Sequence, residues 1–375
     1  RARRALPVVV LAATLLAAIC SAAPARAAAP VSAASWDAVQ QRQVLAAGLM
    51  EASGGSFRGA DPLSGGQANT AMAALAARLR SAVSEHAPAT GQSTQPEQGV
   101  PGTGSAPAEL EAPVAPTLPV AHTAQNPVTV VTFDSMLVEE LGLAGVAAHV
   151  QATAASAGLR PPSYFGSEVV ARFLELRYEH PVGAQQLDLF PRQPITRAEA
   201  AWSLDRVMGS SEWSIAGARE ALSAFELPQM TAAQRQALRI AVSRIGYPYV
   251  WGGTTDSTAD GLEHGGFDCS GFAWRVYKVS GLQWGDEIKG RTAAEQAGEI
   301  PRSQRLRINQ LEPGDLLFFG SANFDSKATE SNVIHEGIYL GDNWVIHSSG
   351  QGVYVLPLSG SWLGSSFAWG RRVIR

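Results

Sequence analysis

Between residues 85 and 127 the chain places eight of its 22 prolines among Thr, Gly, Ser and Gln, with no aromatic side chain. A stretch of that composition cannot bury enough apolar surface to offset the entropy of ordering it. It is expected to act as a semi-extended spacer. The remaining length suffices for roughly two domains. The spacer therefore parts a helical segment at residues 28–84 from helical repeats at residues 128–210 and a further unit at residues 231–375.

The sequence opens on Arg1-Ala2-Arg3-Arg4, passes through an apolar run from Leu6 to Ile19 and reaches Ala25-Arg26-Ala27. A basic start, a short apolar run and an A-x-A site are the parts of a secretion signal over residues 1–27, with cleavage expected after Ala27. A lipid anchor on Cys20 competes with this reading, although Ile19 is bulky where such anchors want a small residue. Arg3-Arg4 leaves twin-arginine export open. No later run is long and apolar enough to span a bilayer. With a net charge of −4, the chain lacks the basic excess of a nucleic-acid binder. A secreted, extracellular or wall-associated protein is expected.

On either side of the spacer the sequence repeats a plan. Trp36 to Arg80 reads as a helix, a turn around Gly54-Gly55-Ser56-Phe57-Arg58-Gly59, and a helix from Gly65 to Leu79. Phe133 to Tyr178 reads as helices near Asp134–Leu141 and Gly166–Arg177. A third piece runs from Leu189-Phe190-Pro191 through Ile195-Thr196-Arg197-Ala198-Glu199 to Met208, where Thr196 and Glu199 have the spacing of a capping box. Ile-Thr-Arg-Ala-Glu resembles the hallmark of the S-layer homology repeat, complete only in this copy; the first copy has Leu63-Ser64-Gly65-Gly66-Gln67 instead. That resemblance implies binding of a secondary wall polymer with Arg197 as a contact. The plain alternative is a set of well-capped helix pairs. Residues 211–230, with Trp213 and Phe225, are expected to pack between the two halves.

From Thr231 the pattern changes. Thr231 caps a helix carrying Leu238, Val242 and Ile245 on one face and stopped by Gly246 and Pro248. Cys269 opens another with Phe272, Val276 and Val279 at helical spacing. Short apolar runs follow at Leu316–Phe319, Ile334–Leu340, Trp344–His347, Gly352–Leu356 and Phe367–Ile374, separated by turn residues. Helices followed by an antiparallel sheet make an α+β layout. Trp344, Trp362 and Trp369 sit at strand spacings and read as core. Arg371, Arg372 and Arg375 read as a solvated end.

Removal of the signal leaves Cys269 as the chain's single thiol, so no intrachain disulfide is available. A thiol attacks as thiolate, which a helix N-terminus and a neighbouring imidazole both favour. Cys269 lies at a helix start, with Gly271 expected to admit a substrate backbone. His335 and His347 lie near the base of a hairpin turned by Gly341-Asp342-Asn343, so one imidazole can face the thiol while the other orients it. His264 reads as a loop residue. Zinc is the competing chemistry for a thiolate beside two imidazoles.

Five motifs then occur in order: Gly246-Tyr247-Pro248-Tyr249-Val250-Trp251-Gly252-Gly253, Phe267-Asp268-Cys269-Ser270-Gly271-Phe272, Pro313-Gly314-Asp315-Leu316-Leu317-Phe318-Phe319, His335-Glu336-Gly337-Ile338-Tyr339-Leu340-Gly341 and Val345-Ile346-His347. Together they resemble the NlpC family of papain-like cell-wall cysteine endopeptidases over residues 231–375. The resemblance implies a papain-like fold, Cys269 as nucleophile, His335 as base and His347 as its orienting partner. It also implies Tyr249, Asp268 and Ser270 in the substrate cleft, peptidoglycan stem peptides as substrate, commonly cut between γ-D-glutamate and diaminopimelate, and no metal or organic cofactor. Amidase or acyltransferase chemistry on the same thiolate, and a non-catalytic envelope-binding protein, are the alternatives. The sequence departs from the family in the long polar segment Thr254–Gly265, and in Glu336, where an apolar residue is usual.

Overall fold

The computed structural model describes residues 36–52, 55–85, 124–256 and 265–375. The expected signal segment, most of the proline-rich spacer, Gly54 and His264 lie outside the described residues. Seven helices make up the first part: α1 (Ala38–Ala46), α2 (Gly65–Glu85), α3 (Val130–Glu140), α4 (Ala144–Ser156), α5 (Phe165–Phe173), α6 (Arg197–Gly209) and α7 (Glu212–Ser223). α4 was not foreseen. Its alanine-rich sequence has a weak amphipathic pattern, and it is fixed by burial of Val146, Val150 and Ala154 along one stripe.

Three helices, α2, α3 and α6, begin alike, after Pro62-Leu63-Ser64, Pro127-Val128-Thr129 and Pro194-Ile195-Thr196. Proline keeps the entering chain extended, and the hydroxyl caps the first turn. Ser64 accepts from the Gln67 N–H at 3.3 Å, Thr129 from Thr132 at 3.3 Å and Thr196 from Glu199 at 3.2 Å. The three aliphatic residues meet. Leu63 donates to the Ile195 carbonyl at 2.9 Å, Ile195 to Val128 at 2.9 Å and Val128 to Leu63 at 3.0 Å, so the backbone bonds close a cycle. All three side chains are buried at its centre. Residues 124–127, expected in the spacer, are thus part of this junction: Gly65 and Gly66 donate to the carbonyls of Asn126 and Ala124.

Two expectations for α6 are corrected. Glu199 does not reach back to cap; its carboxyl turns inward, 3.6 Å from His180 Nε2, where burial raises its pKa to about 7. Arg197 is buried, donates to the Phe57 and Glu51 carbonyls and stacks over the Phe57 ring. Its guanidinium fastens the turn between α1 and α2 rather than facing a ligand. On α7, Trp213 is 87% exposed and does not pack between the halves, whereas Phe225 is fully buried.

The second part starts with α8 (Ala232–Ser243), whose Thr231–Gln234 capping box is complete. A two-stranded pair, β1 (Thr254–Thr255) and β2 (Gly266–Phe267), precedes α9 (Cys269–Lys278) and α10 (Ala293–Gly298). Then come β3 (Arg305–Leu306), β4 (Leu316–Phe319), β5 (His335–Gly341), β6 (Trp344–Ser349), β7 (Gly352–Pro357), α11 (Trp362–Ser366) and β8 (Phe367–Arg371). The sheet order is β3-β8-β4-β5-β6-β7, with every neighbouring pair antiparallel. This is the expected α+β arrangement.

Alternation along the strands divides the sheet's faces. Phe318, Ile338, Leu340, Ile346 and Trp369 join the core that contains Phe272 and Val276 of α9. Leu317, Phe319 and Val345 form a second cluster with Leu363 of α11. Val279, expected on the buried stripe, is 39% exposed at the end of α9. Arg371 is no solvated end either: it is buried and ion-paired with Glu299.

α5 packs on β7, joining the two parts. Buried Arg172 is bound to Glu168 at 2.8 Å and donates outward to the Gly246 carbonyl at 2.9 Å and to that of Gln351. Gln351 bonds both backbone groups of Arg177 in return. A pocket at this seam is lined by Arg177, Tyr178, Glu179, Tyr249 and Gln351, among others. Burial there, with Asp188 close by, raises the Glu179 pKa to about 7.

Candidate active site

Cys269 is the first residue of α9, and Asp268 is its N-cap. One Asp268 oxygen accepts from the Gly271 N–H at 2.6 Å and the other from Gly252 at 3.0 Å. These bonds tie the start of the helix to the Trp251-Gly252-Gly253 turn. Asp268 also donates its N–H to the Gly253 carbonyl, and Val250 and Phe267 are paired backbone to backbone. A Cβ on Gly271 would overlap that Gly253 carbonyl oxygen. The glycine is therefore needed for the close approach of a neighbouring loop, and not, as the sequence suggests, for a substrate.

Phe319 faces His335 across β4 and β5, and His347 faces Gly337 across β5 and β6. This register brings the two imidazoles together at one end of the hairpin, with His335 Nε2 2.9 Å from His347 Nδ1. His335 therefore keeps Nδ1 for another partner. The sulfur of Cys269 is approached by the backbone N–H groups of Ser270 and Glu336, the second being the residue after His335. Thiol, first imidazole and second imidazole thus share one end of the sheet. Ser348 braces the corner, its hydroxyl donating to the Phe267 carbonyl at 2.7 Å.

Enclosure favours the neutral forms of the thiol and of both imidazoles. Burial pushes the thiol pKa up, with further opposition from the Asp268 and Glu336 carboxyls. Burial lowers His335 to about 3. Burial, and then the neighbouring His335, hold His347 well below the ordinary imidazole value. Either charge alone is disfavoured, so thiolate and imidazolium are best formed together, by proton transfer from sulfur to ring. Among the described residues, no three His, Cys, Asp or Glu side chains converge to hold a metal ion, and no helix is long and apolar enough to cross a membrane.

The three residues expected in the cleft differ in placement. Tyr249 is half-buried and lines the seam pocket. Asp268 and Ser270 are buried, and their side chains are committed to protein partners: Ser270 donates to the Arg291 carbonyl at 2.9 Å, and Asp268 carries the bonds above. They brace the start of α9. Arg291 was missed. Its guanidinium bonds both Asp268 oxygens, at 3.1 and 2.7 Å, and remains partly exposed beside Cys269 and Tyr249. Trp362 was assigned to core, yet its ring centroid lies 5.1 Å from that of His335 and 6.0 Å from that of His347. Its place at the start of α11, separated in sequence from both histidines, gives no sequence signal of such a contact.

Residues 246–372 match the NlpC/P60 family model. The matched span holds all three groups just described. Curated relatives align over about a third of the chain. The probable peptidoglycan endopeptidase LytE of Bacillus subtilis is 34% identical over 122 residues, covering 32% of this chain and 29% of that protein. The gamma-D-glutamyl-L-lysine dipeptidyl-peptidase of the same organism is 31% identical over 117 residues, covering 31% of this chain and 32% of that one. A probable endopeptidase of Mycobacterium tuberculosis is 31% identical over 140 residues, or 36% and 30% of the two chains. The alignments thus span about a third of each protein. Among solved structures, the NlpC/p60 domain of the peptidoglycan hydrolase SagA is 28% identical with a TM-score of 0.28, covering 37% of this chain and 97% of that one.

Proposed function

We propose that this protein is a cysteine peptidase that hydrolyses peptidoglycan stem peptides, at the bond between γ-D-glutamate and the diamino acid that follows it. The observation that carries the reading is the His335–His347 contact beside a thiol at a helix N-terminus. Cys269 transfers its proton to His335 as sulfur attacks the carbonyl carbon. Cys269's own N–H, with a nearby donor, holds the developing oxyanion. His335 then protonates the leaving amine, and water attacks the thioester to release the acid and regenerate the thiol. His347 holds the ring in line. The family match and the names of the aligned relatives support the substrate class. Activity outside the cytoplasm, at the wall, follows from that substrate. Wall-polymer binding by the helical part is a separate proposal, tested by comparing wall pull-down of the full chain with that of a chain lacking residues 28–210.

The test is mass spectrometry of muropeptides incubated with the protein, beside a Cys269→Ala control. Cleavage after γ-D-glutamate in the first and not the second is expected. Products cut at an amide outside the stem, or joined to a second amine, would assign an amidase or acyltransferase instead. One observation favours a second reading, a binding protein without turnover: burial favours the neutral forms of Cys269, His335 and His347. Slow thiol alkylation together with intact muropeptides would establish it.

A further inference from the structure

Beside the proposed nucleophile lies a buried acid that the mechanism does not use. Glu336 follows His335 on β5, and strand alternation turns it to the α9 face with Ile338 and Leu340. It is wholly buried, and neither carboxyl oxygen has a hydrogen-bond partner. The titratable and charged groups around it come from every element packed there: Arg371 on β8, Asp268, Cys269 and Tyr277 of α9 and its cap, Arg291 before α10 and Glu299 after it. Neither arginine is free to neutralise it. Arg371 is spent on Glu299 and on the carbonyls of Gln296 and Glu287. Arg291 is spent on Asp268. A carboxylate in that position would be stripped of water, unbonded and flanked by two other carboxylates.

We propose that Glu336 is a positioning residue that works as an uncharged acid in the floor of the thiol site, and that its becoming charged shuts the site down at alkaline pH. The inference rests on Cys269 being the nucleophile. The backbone of this one residue aids the thiolate, since its N–H approaches the sulfur, while its carboxylate would oppose it. Like charges at close range in an enclosed space oppose each other, so thiolate and Glu336 carboxylate each disfavour the other. Burial holds the carboxyl pKa well above the usual carboxylate range, against the pull of Arg371. The acid is therefore neutral when the thiol transfers its proton to His335. A valine would fill the same space without this limit.

The experiment is the pH profile of kcat/KM on purified muropeptides for the full chain, Glu336→Gln and Glu336→Val, with iodoacetamide labelling of Cys269 measured alongside. The acid limbs of the three profiles should coincide. The alkaline limb should move up by about one pH unit or more in both variants. Three superimposable profiles from active proteins would overturn the role of Glu336 and leave the peptidase intact. No hydrolysis and slow labelling in the unmutated protein would instead remove the peptidase reading. Urea unfolding gives a readout independent of activity: above neutrality Glu336→Val should be the more stable protein. Finding the unmutated chain more stable there would also overturn the proposal.

Discussion

Arg172 offers the sharpest test of how the helical part is joined to the part that carries the sheet. Its side chain is 4% exposed and that of its partner Glu168 is 0% exposed. Arg172→Ala removes two charge-assisted bonds to the carbonyls of Gly246 and Gln351, each worth about 1.5 kcal/mol. It also leaves Glu168 enclosed without its cation, which costs about 3 kcal/mol. These losses overlap, so the expected destabilisation is about 4 kcal/mol, a large share of the stability of an ordinary domain. Gly246 and Tyr247 pair with Val353 of β7, Gly246 donating to the Val353 carbonyl and Val353 donating to that of Tyr247. Activity should therefore fall with stability. The measurement is equilibrium urea unfolding of the unmutated chain, Arg172→Ala and the paired variant Glu168→Leu/Arg172→Met. Because an apolar pair leaves no orphaned charge, the double variant should recover at least half of the loss. A single variant within about 1 kcal/mol of the unmutated protein, or a double variant worse than the single, would refute the argument.

Gly271→Ala should abolish muropeptide cleavage and lower the melting temperature, since its Cβ overlaps the Gly253 carbonyl; an active variant would show that the loop yields freely. Asp268→Ala should have opposed effects: loss of the α9 cap costs about 1–2 kcal/mol, while removal of a carboxylate that raises the thiol pKa makes Cys269 easier to alkylate at neutral pH. Trp362→Ala should admit water to the histidines and raise the His335 pKa from about 3, measurable by NMR titration of the ring. Glu199, raised by burial to about 7, binds its proton more tightly when folded. Its contribution is full below the ordinary glutamate pKa and is lost as pH rises through about 7, so Glu199→Gln should flatten that part of the stability profile.

The C-terminal part was largely legible because its candidate chemistry sits in local strings. A thiol at a helix start, two histidines on a hairpin and a glycine-rich turn can each be read from a few adjacent residues. The strands near residues 316, 335, 344 and 352 begin within a residue of their expected starts because turn residues bound them. What escaped depends on residues remote in sequence. Arg371 looks like a solvated tail until β8 brings it against α10. Glu336 could be assigned to either face only once the strand register was known. Arg197 looks like a ligand contact because its motif is local, whereas the carbonyls that hold it come from the loop near residues 51–57. α4 escaped because an alanine-rich helix has almost no periodic contrast.

The cycle formed by Leu63, Val128 and Ile195 bears on what proteolysis would do to this protein. α2 has 21 residues and spans about 31 Å. The chain leaves at its far end and re-enters at Ala124, beside its beginning. The connection over residues 86–123 therefore starts and finishes on the same body. A cut within it would not set the first two helices free. It would turn one chain into two fragments held by backbone bonds and a shared apolar centre, and a nicked sample should co-purify as a single particle until denaturant separates the pieces.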